Sequence, residues 1–206
     1  MPVHGTQSPT VKVWDPLVRV FHWSLVFFFM LAFITEDDWL GLHVQAGYVV
    51  SYLVAFRLLW GLVGTRNARF SSFVRSPAVI LSYLKSLLKF KVPHYLGHNP
   101  LGAAMVIILL LGIILVSLSG MALIATEGNG PLAGSFVASW DADWMEEVHE
   151  FFANFTLLMV TVHVSGVIFS SLVEGENLAK AMLTGRKKLR SDWEDISPSA
   201  AQEYKS

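Results

Sequence analysis

The stretch from Val148 to Leu172 constrains the fold most strongly, because it is long and apolar enough to cross a bilayer and still contains two histidines. It contains no Lys or Arg. His149 and His163 are 14 residues apart, so on an α-helix they lie about 21 Å apart along the axis and project from nearly the same side. An ionisable group inside a spanning helix is costly and is a functional hypothesis by default. The stretch predicts a transmembrane helix that carries two sites at different depths.

Three further stretches are as apolar as this one. The chain of 206 residues is 53% hydrophobic and 15% charged, which is more apolar than an ordinary soluble domain. Spanning helices, which need about 20 apolar residues each, are predicted at about 17–35, 40–63, 101–125 and 148–173. A shorter helix at about 77–90 has a polar stripe that contains Lys85 and Lys89, and it suits the membrane surface. We therefore predict an all-α fold, an integral membrane four-helix bundle with an additional interfacial amphipathic helix.

The distribution of basic residues predicts the orientation. The loop at 65–100 and the segment from Lys180 to Arg190 are rich in Lys and Arg, whereas the loops at 36–39 and 126–147 have none. By the positive-inside rule, the basic segments and both termini are cytoplasmic. We expect a multi-pass protein of the bacterial inner membrane, with residues 1–190 as one domain and 191–206 as a polar C-terminal tail.

The orientation pairs four histidines by depth. His22 lies near the cytoplasmic end of the first helix, and His43 lies near the outer end of the second. In the fourth helix His149 is the outer residue and His163 the inner one. The predicted pairs are therefore His22 with His163 and His43 with His149, each joining two helices at one level.

Two facing imidazoles inside a bundle suit the two axial positions of a haem iron. Zinc usually takes three or four protein ligands, and the helices supply no obvious carboxylate or thiol partner at these depths. The chain has no cysteine, which excludes covalent c-type attachment and iron–sulfur ligation by Cys. We interpret the four histidines as ligands of two non-covalent haems that carry electrons across the bilayer; the alternative is that they are packing residues.

Arg57 follows His43 by 14 residues in the second helix, at the depth of the inner pair. One interpretation is that it binds a haem propionate. The other is that it extends to the cytoplasmic interface.

The stretches VWDPLVRVFHW, LHVQAGY, FRLLWGLVGTRNARF and YLGHNPLG, together with the spacing of His149 and His163, resemble the prokaryotic cytochrome b561 family. Its members are similar to the cytochrome b subunits of nickel–iron hydrogenases and formate dehydrogenases. The resemblance covers roughly residues 11–190. It implies two bis-histidine b haems in a four-helix bundle, held here by His22, His43, His149 and His163.

The resemblance also implies exchange between a quinone pool and a redox partner, such as a periplasmic c-type cytochrome or a larger enzyme. We expect no nucleic-acid partner. The alternative function is that of a membrane enzyme that oxidises superoxide or another small reductant at the outer haem and reduces quinone. Whether the chain is an enzyme in its own right therefore stays open. The acidic outer loops, which would repel superoxide and attract a basic protein, favour the electron relay.

A segment before the third spanning helix is a candidate quinone site. It contains His94, Tyr95, His98 and Asn99, and His or Tyr could bond a quinone carbonyl and relay protons. The alternative is a solvated turn at the interface. A metal site at His94 and His98 is disfavoured, because the Pro and Gly residues nearby spoil a helical arrangement.

Overall fold

The computed structural model describes residues 10–36, 38–88 and 97–188. In chain order the elements are β1 (Thr10–Lys12), α1 (Pro16–Ile34), α2 (Leu40–Val63), α3 (Phe70–Phe73), α4 (Pro77–Leu88), α5 (Pro100–Thr126), a 3-10 turn (Phe136–Ser139), α6 (Ala142–Glu174), α7 (Leu178–Thr184) and β2 (Arg186–Lys188). Helices α1, α2, α5 and α6 are long and apolar enough to cross a membrane. The predicted all-α class and the four spanning helices are confirmed, and the chain is a multi-pass membrane protein.

Short polar residues cap the spanning helices α1 and α5 at their first turns. Asp15 accepts a hydrogen bond from the Val18 amide at 2.8 Å, and Asn99 accepts one from the Gly102 amide at 2.7 Å. In both helices a proline follows the cap at the first helical position, where its missing N–H costs nothing. The predicted starts of α1 and α5 therefore differ from the observed ones by a single residue.

The start of α6 corrects a predicted boundary. The sequence pattern put the start near 148 and Trp144 in a loop, but α6 begins at Ala142. Asp141 caps it by accepting a hydrogen bond from the Trp144 amide at 2.8 Å. The first turns are too acidic to look membrane-embedded, so the apolar pattern alone placed the boundary too late.

Helix α4 matches the predicted interfacial helix over the residues that the structure describes; the predicted end at 89–90 lies outside them. Its apolar side chains Val79, Leu81 and Leu84 are exposed. Ser82, Lys85 and Ser86 share the same helix. This mixture suits a helix that rests on a membrane surface.

A small β-ribbon joins the two ends of the described chain and was not predicted from the sequence. Strand β1 pairs antiparallel with β2, with Val11 opposite Lys187. The Val13 amide donates to the Gly185 carbonyl at 2.8 Å, and Gly185 has a φ of +77°, which favours glycine at that position. Arg19 of α1 donates to the carbonyl of Leu183. These hydrogen bonds hold the segment after α7 beside the start of α1.

The spanning helices pack as two hairpins. Helix α1 packs on α2, α6 packs on α5, and α2 joins the hairpins by packing on α5. Val50, Val54 and Ile113 form the core of this junction. Within the described residues, α6 makes no extensive backbone contact with α1 or α2. The side chains that lie between α6 and the α1–α2 hairpin therefore determine which ligand the bundle can bind.

Candidate functional site

His43 of α2 and His149 of α6 meet between the two hairpins. Their ring centroids are 6.0 Å apart and the ring planes are at 88° to each other. Both residues are partly buried. Two helices that do not pack extensively on each other thus bring one imidazole each to a common point.

Backbone carbonyls hold both of these rings by the same nitrogen. Nδ1 of His43 lies 2.8 Å from the carbonyl oxygen of Ala32 on α1. Nδ1 of His149 lies 3.0 Å from the carbonyl oxygen of Val116 and 3.1 Å from Oγ of Ser119, both on α5. An Nδ1–H that donates to a carbonyl fixes the tautomer and leaves Nε2 as the basic atom. Histidines that bind metals are oriented in this way by their other nitrogen.

Gly120 brings α5 close to His149. A Cβ at this position would lie 2.9 Å from Cε1 of the ring, closer than van der Waals contact allows. Ser119 and Gly120 thus allow α6 and its His149 to lie close to α5.

The second pair, His22 of α1 and His163 of α6, also lies between the hairpins. The two imidazoles are near enough for their charges to interact. Nδ1 of His22 is buried and has no hydrogen-bond partner among the described residues, and its ring contacts Trp23 edge-on at 5.2 Å. The structure gives no ring contact between His22 and His163 within the part of the chain that it describes. The inner pair is therefore more widely spaced than the outer one.

Arg57 is buried in α2, with 4% of its surface exposed. Its guanidinium carbon lies 4.8 Å from the centre of the Phe70 ring, and the carboxylate of Asp15 attracts it. Nη1 has no hydrogen-bond partner among the described residues. A buried guanidinium with an unused donor favours an internal anionic partner over extension to the interface.

Thr156 lies midway between His149 and His163 on α6, at seven residues from each, and sequence reasoning missed it. Seven residues are close to two helical turns, so it shares the side of the helix that carries both histidines. It is fully buried, and its hydroxyl has no hydrogen-bond partner among the described residues. A Cβ on Gly112 would lie 2.8 Å from this hydroxyl. Gly112 and Thr156 thus let α5 and α6 approach closely between the two levels; the spacing of seven from each histidine could have revealed the position.

The donor set suits a group that takes two imidazole ligands at each of two levels. No cluster of three or more His, Asp or Glu side chains that could hold a metal ion occurs among the described residues, so a zinc site of the usual kind is not formed there. The outer pair has its Nδ1 atoms occupied and its Nε2 atoms available, and the inner pair has a buried ring nitrogen without a partner. These residues fit the axial positions of two haems.

The candidate quinone residues are only partly described. His94 and Tyr95 lie outside the described residues. Asn99 caps α5 with its side-chain carbonyl, so that oxygen already has a hydrogen bond. His98 is wedged between Trp14 and Phe73, with 4.6 Å between ring centroids in both contacts. Burial, together with the charges of Arg57, Lys187 and His163, lowers the pKa of His98 to about 4.

The predicted outer face is acidic. The described acidic residues of its loops and of the first turns of α6 are all exposed. They are Glu36, Asp38, Glu127, Asp141, Asp143, Glu146 and Glu147. Asp37 lies outside the described residues.

Comparison with known proteins places these features in a family. The family model described as prokaryotic cytochrome b561 matches residues 13–185. Three curated relatives are each named a probable Ni/Fe-hydrogenase B-type cytochrome subunit. The relative from Rhodobacter capsulatus is 24% identical over 167 aligned positions, which cover 73% of this chain and 63% of the relative.

The other two relatives are matched over larger shares of their length. The one from Azotobacter vinelandii is 28% identical over 178 aligned positions, which cover 74% of this chain and 70% of the relative. The one from Bradyrhizobium diazoefficiens is 23% identical over 219 aligned positions, which cover 88% of this chain and 87% of the relative. No solved structure matches the chain significantly.

Proposed function

The chain belongs to the prokaryotic cytochrome b561 family, and on this premise we propose that it moves electrons across the membrane through two stacked bis-histidine haems. Membership of the family itself supports a membrane cytochrome b that binds haem b and transfers electrons. The proposal adds the number of haems, their ligands and the two ends of the path. The outer haem is assigned to His43 and His149, and the inner haem to His22 and His163.

The observation that carries the proposal is the way in which His43 and His149 are held. Each ring turns its Nδ1 to a carbonyl of the neighbouring helix, at Ala32 and Val116. The rings meet at a centroid distance of 6.0 Å. An Nδ1–H that donates in this way leaves Nε2 of each ring as the basic atom, which a metal ion can bind and which a packing role would not require.

A haem held by two of these imidazoles would supply one-electron exchange and would have no open position for oxygen chemistry. The protein has to orient the ligands and exclude water. Ala32, Val116 and Ser119 fix the outer imidazoles. The hydrogen bonds to Nδ1 also raise the basicity of Nε2.

At the inner level we propose that Arg57 binds a haem propionate. Its burial, its unused Nη1 and its contact with Phe70 support this role. An Arg–carboxylate hydrogen bond is stronger than a neutral one, and it would offset the cost of burying the guanidinium.

The two ends of the path are proposed as quinone and a redox protein. The relatives, named as hydrogenase cytochrome subunits, support a membrane subunit that accompanies a redox enzyme. The exposed acidic residues of the predicted outer face would also attract a basic c-type cytochrome. We propose that quinone exchanges electrons on the cytoplasmic side near the segment of His94, Tyr95, His98 and Asn99, in the inner membrane and with both termini cytoplasmic.

A reduced-minus-oxidised visible spectrum of the purified protein, with extracted haem counted per chain, tests the proposal. Two low-spin b haems per chain are expected. One haem per chain would remove one of the two proposed pairs. No haem would return all four histidines to a packing role.

A further inference from the structure

The ring of Phe70 lies against α2 at a position that only glycine leaves open. A Cβ at Gly61 would overlap Cε2 of this ring and would lie 2.5 Å from Cδ2 and Cζ. Any side chain at position 61 would therefore displace the ring. Gly61 is buried and follows Arg57 by four residues, so the two share one face of α2. The ring thus covers the face of the helix that carries Arg57.

The guanidinium of Arg57 lies under this ring. Its Cζ is 4.8 Å from the ring centre, which is within the range of cation–π attraction. Only 4% of the Arg57 surface is exposed, and Nη1 has no hydrogen-bond partner among the described residues. An aromatic ring attracts the charge but leaves this N–H donor unsatisfied. The contact with Phe70 therefore orients the guanidinium without neutralising it.

The Phe70 ring also blocks the path by which Arg57 could extend to the nearer end of α2. Gly61 is about one turn closer than Arg57 to the end of the helix at Val63. A ring that covers Gly61 occupies the space along which a long side chain would extend to the interface. Phe70 also contacts the buried Phe73, with 5.8 Å between ring centroids. Apolar packing thus keeps the ring in place.

The loop that leads from α2 to Phe70 is anchored to the segment before α1. The Thr65 hydroxyl donates to Oδ2 of Asp15, and the Asn67 amide donates to the Val13 carbonyl at 2.9 Å. These hydrogen bonds do not involve Arg57. The position of the ring is therefore set by the fold of the loop, and the guanidinium adapts to it.

We propose that Phe70 is a positioning residue that keeps the guanidinium of Arg57 inside the bundle, at the level of the inner histidine pair. The unused N–H of Arg57 is then available to a carboxylate of the group bound there. The inference rests on the proposed function, because it takes a propionate of the inner haem as the anionic partner. It adds that the positive charge beside this haem is held in place by an aromatic residue at the start of α3.

The midpoint potential of the inner haem measures this positioning. A fixed positive charge favours the reduced haem, which carries one positive charge fewer than the oxidised one. Arg57→Gln should shift the equilibrium of the inner haem toward its oxidised form about tenfold, which corresponds to about 59 mV for one electron. Phe70→Leu should shift it in the same direction at least about threefold. The outer haem should keep its potential in potentiometric titrations of the detergent-purified full chain.

A second variant displaces the ring without removing it. Gly61→Ala retains both Arg57 and Phe70 but places a methyl group where the ring lies, so it should lower the inner potential as Phe70→Leu does. Gly41→Ala is the matched control in the same helix, because a Cβ at Gly41 meets nothing within 4 Å. Equal shifts in the two glycine variants would overturn the proposal.

A double variant separates positioning from a merely structural role. If Phe70 acts through Arg57, adding Phe70→Leu to Arg57→Gln should produce no further shift of the inner potential. Additive shifts would overturn the proposal, because Phe70 would then act on the site by another route. Loss of the inner haem in Phe70→Leu but not in Arg57→Gln would overturn it for the same reason.

Resonance Raman spectra of the same proteins report the propionate directly. Its bending band should move in Arg57→Gln, Phe70→Leu and Gly61→Ala and stay in Gly41→Ala. A band that is unchanged in Arg57→Gln would overturn the inference, since no propionate would then be bonded to Arg57. Extracted haem, counted in every protein, separates this inference from the proposed function. Two haems per chain with an unmoved inner potential in Phe70→Leu and Gly61→Ala would overturn the inference alone, whereas a wild-type chain without the inner haem would reject both.

Discussion

Gly120 of α5 lies directly against the imidazole of His149 on α6, so that a Cβ on Gly120 would come within 2.9 Å of Cε1 of the ring. Nδ1 of the same ring is held by the Val116 carbonyl and the Ser119 hydroxyl, which belong to the same turn of α5. A single turn of α5 therefore determines both the orientation of the ring and its distance from the helix.

Gly120→Ala should displace the His149 imidazole and weaken retention of the outer haem. Changes in the residues that orient a ligand typically cost 10- to 100-fold in metal affinity, and we expect roughly 10-fold here. Haem counting after detergent dialysis measures it. Gly41→Ala is the matched control, because a Cβ at Gly41 meets nothing within 4 Å. Wild-type retention in both variants would contradict the proposed role of His149.

The pairing of the histidines predicts a pattern of variants. His43→Ala and His149→Ala should remove the same haem and give the same residual spectrum, and the double variant should lose no more than either single one. His22→Ala combined with His43→Ala should lose both haems. The effects of substituting two residues that bind the same ligand are non-additive in this way. Additive losses within a pair, measured by extracted haem and low-temperature spectra, would reject the pairing.

Sequence patterns predicted most of this fold because the four spanning helices are defined by apolar length, which is a local property. The depths of His22, His43, His149 and His163 followed from helix geometry and orientation. The parts that escaped prediction depend on contacts between distant segments. The Ala32 carbonyl that holds His43 is an ordinary backbone atom, and no residue type marks it.

The same reason explains the missed ribbon and the missed role of Asp15. Strands β1 and β2 are three residues each, which is too short for an alternating pattern to be recognised. The contacts of Asp15 with Trp60 and Thr65 join segments that are about 50 positions apart in the chain. Only the folded structure brings such segments together.

Asp15→Ala should destabilise the end of the bundle where α1 begins by about 1–2 kcal/mol, which is the usual cost of losing a cap. Its Oδ1 caps α1 at Val18, and its Oδ2 accepts hydrogen bonds from Trp60 Nε1 and Thr65 Oγ1. Asp15→Asn keeps the capping oxygen and should recover most of the loss. Thermal unfolding in detergent measures both; equal melting temperatures for Asp15→Ala and the wild type would contradict the role.

The low pKa of His98 predicts a loss of stability on acidification. The pKa is about 4 in the folded chain and about 6.5 in an unfolded one. Between these values the unfolded state binds more protons, so stability rises with pH and is lost as pH falls from about 6.5 to about 4. Burial is the main cause, and the charges of Arg57, Lys187 and His163 add to it.

His98→Phe isolates this contribution, since an aromatic ring can still pack between Trp14 and Phe73. Melting temperatures are compared at pH 7 and pH 4.5 in the same detergent. The wild type should lose more stability than His98→Phe on acidification, because the other histidines contribute equally to both proteins. An identical drop in the two would show that His98 is not held neutral by the fold.

Reversal of acidic charge on the predicted outer face should slow electron exchange with a basic c-type cytochrome. Asp141 and Asp143 are poor choices for this test, because Asp141 caps α6 and Asp143 lies in its first turn, so that reversal would also weaken the helix. Glu146 and Glu147 are exposed in the following turn. Glu146→Lys/Glu147→Lys should lower the second-order rate about tenfold at low ionic strength.

The salt dependence distinguishes docking from a general effect of charge on the membrane. The rate for the wild type should fall as salt is added, whereas the rate for the reversed variant should change little or rise. Glu146→Gln/Glu147→Gln, which only neutralises the charges, should lie between them. Haem content serves as the control for folding in each variant. Equal rates and equal salt slopes in all three proteins, measured by stopped-flow, would mean that these carboxylates do not attract the partner.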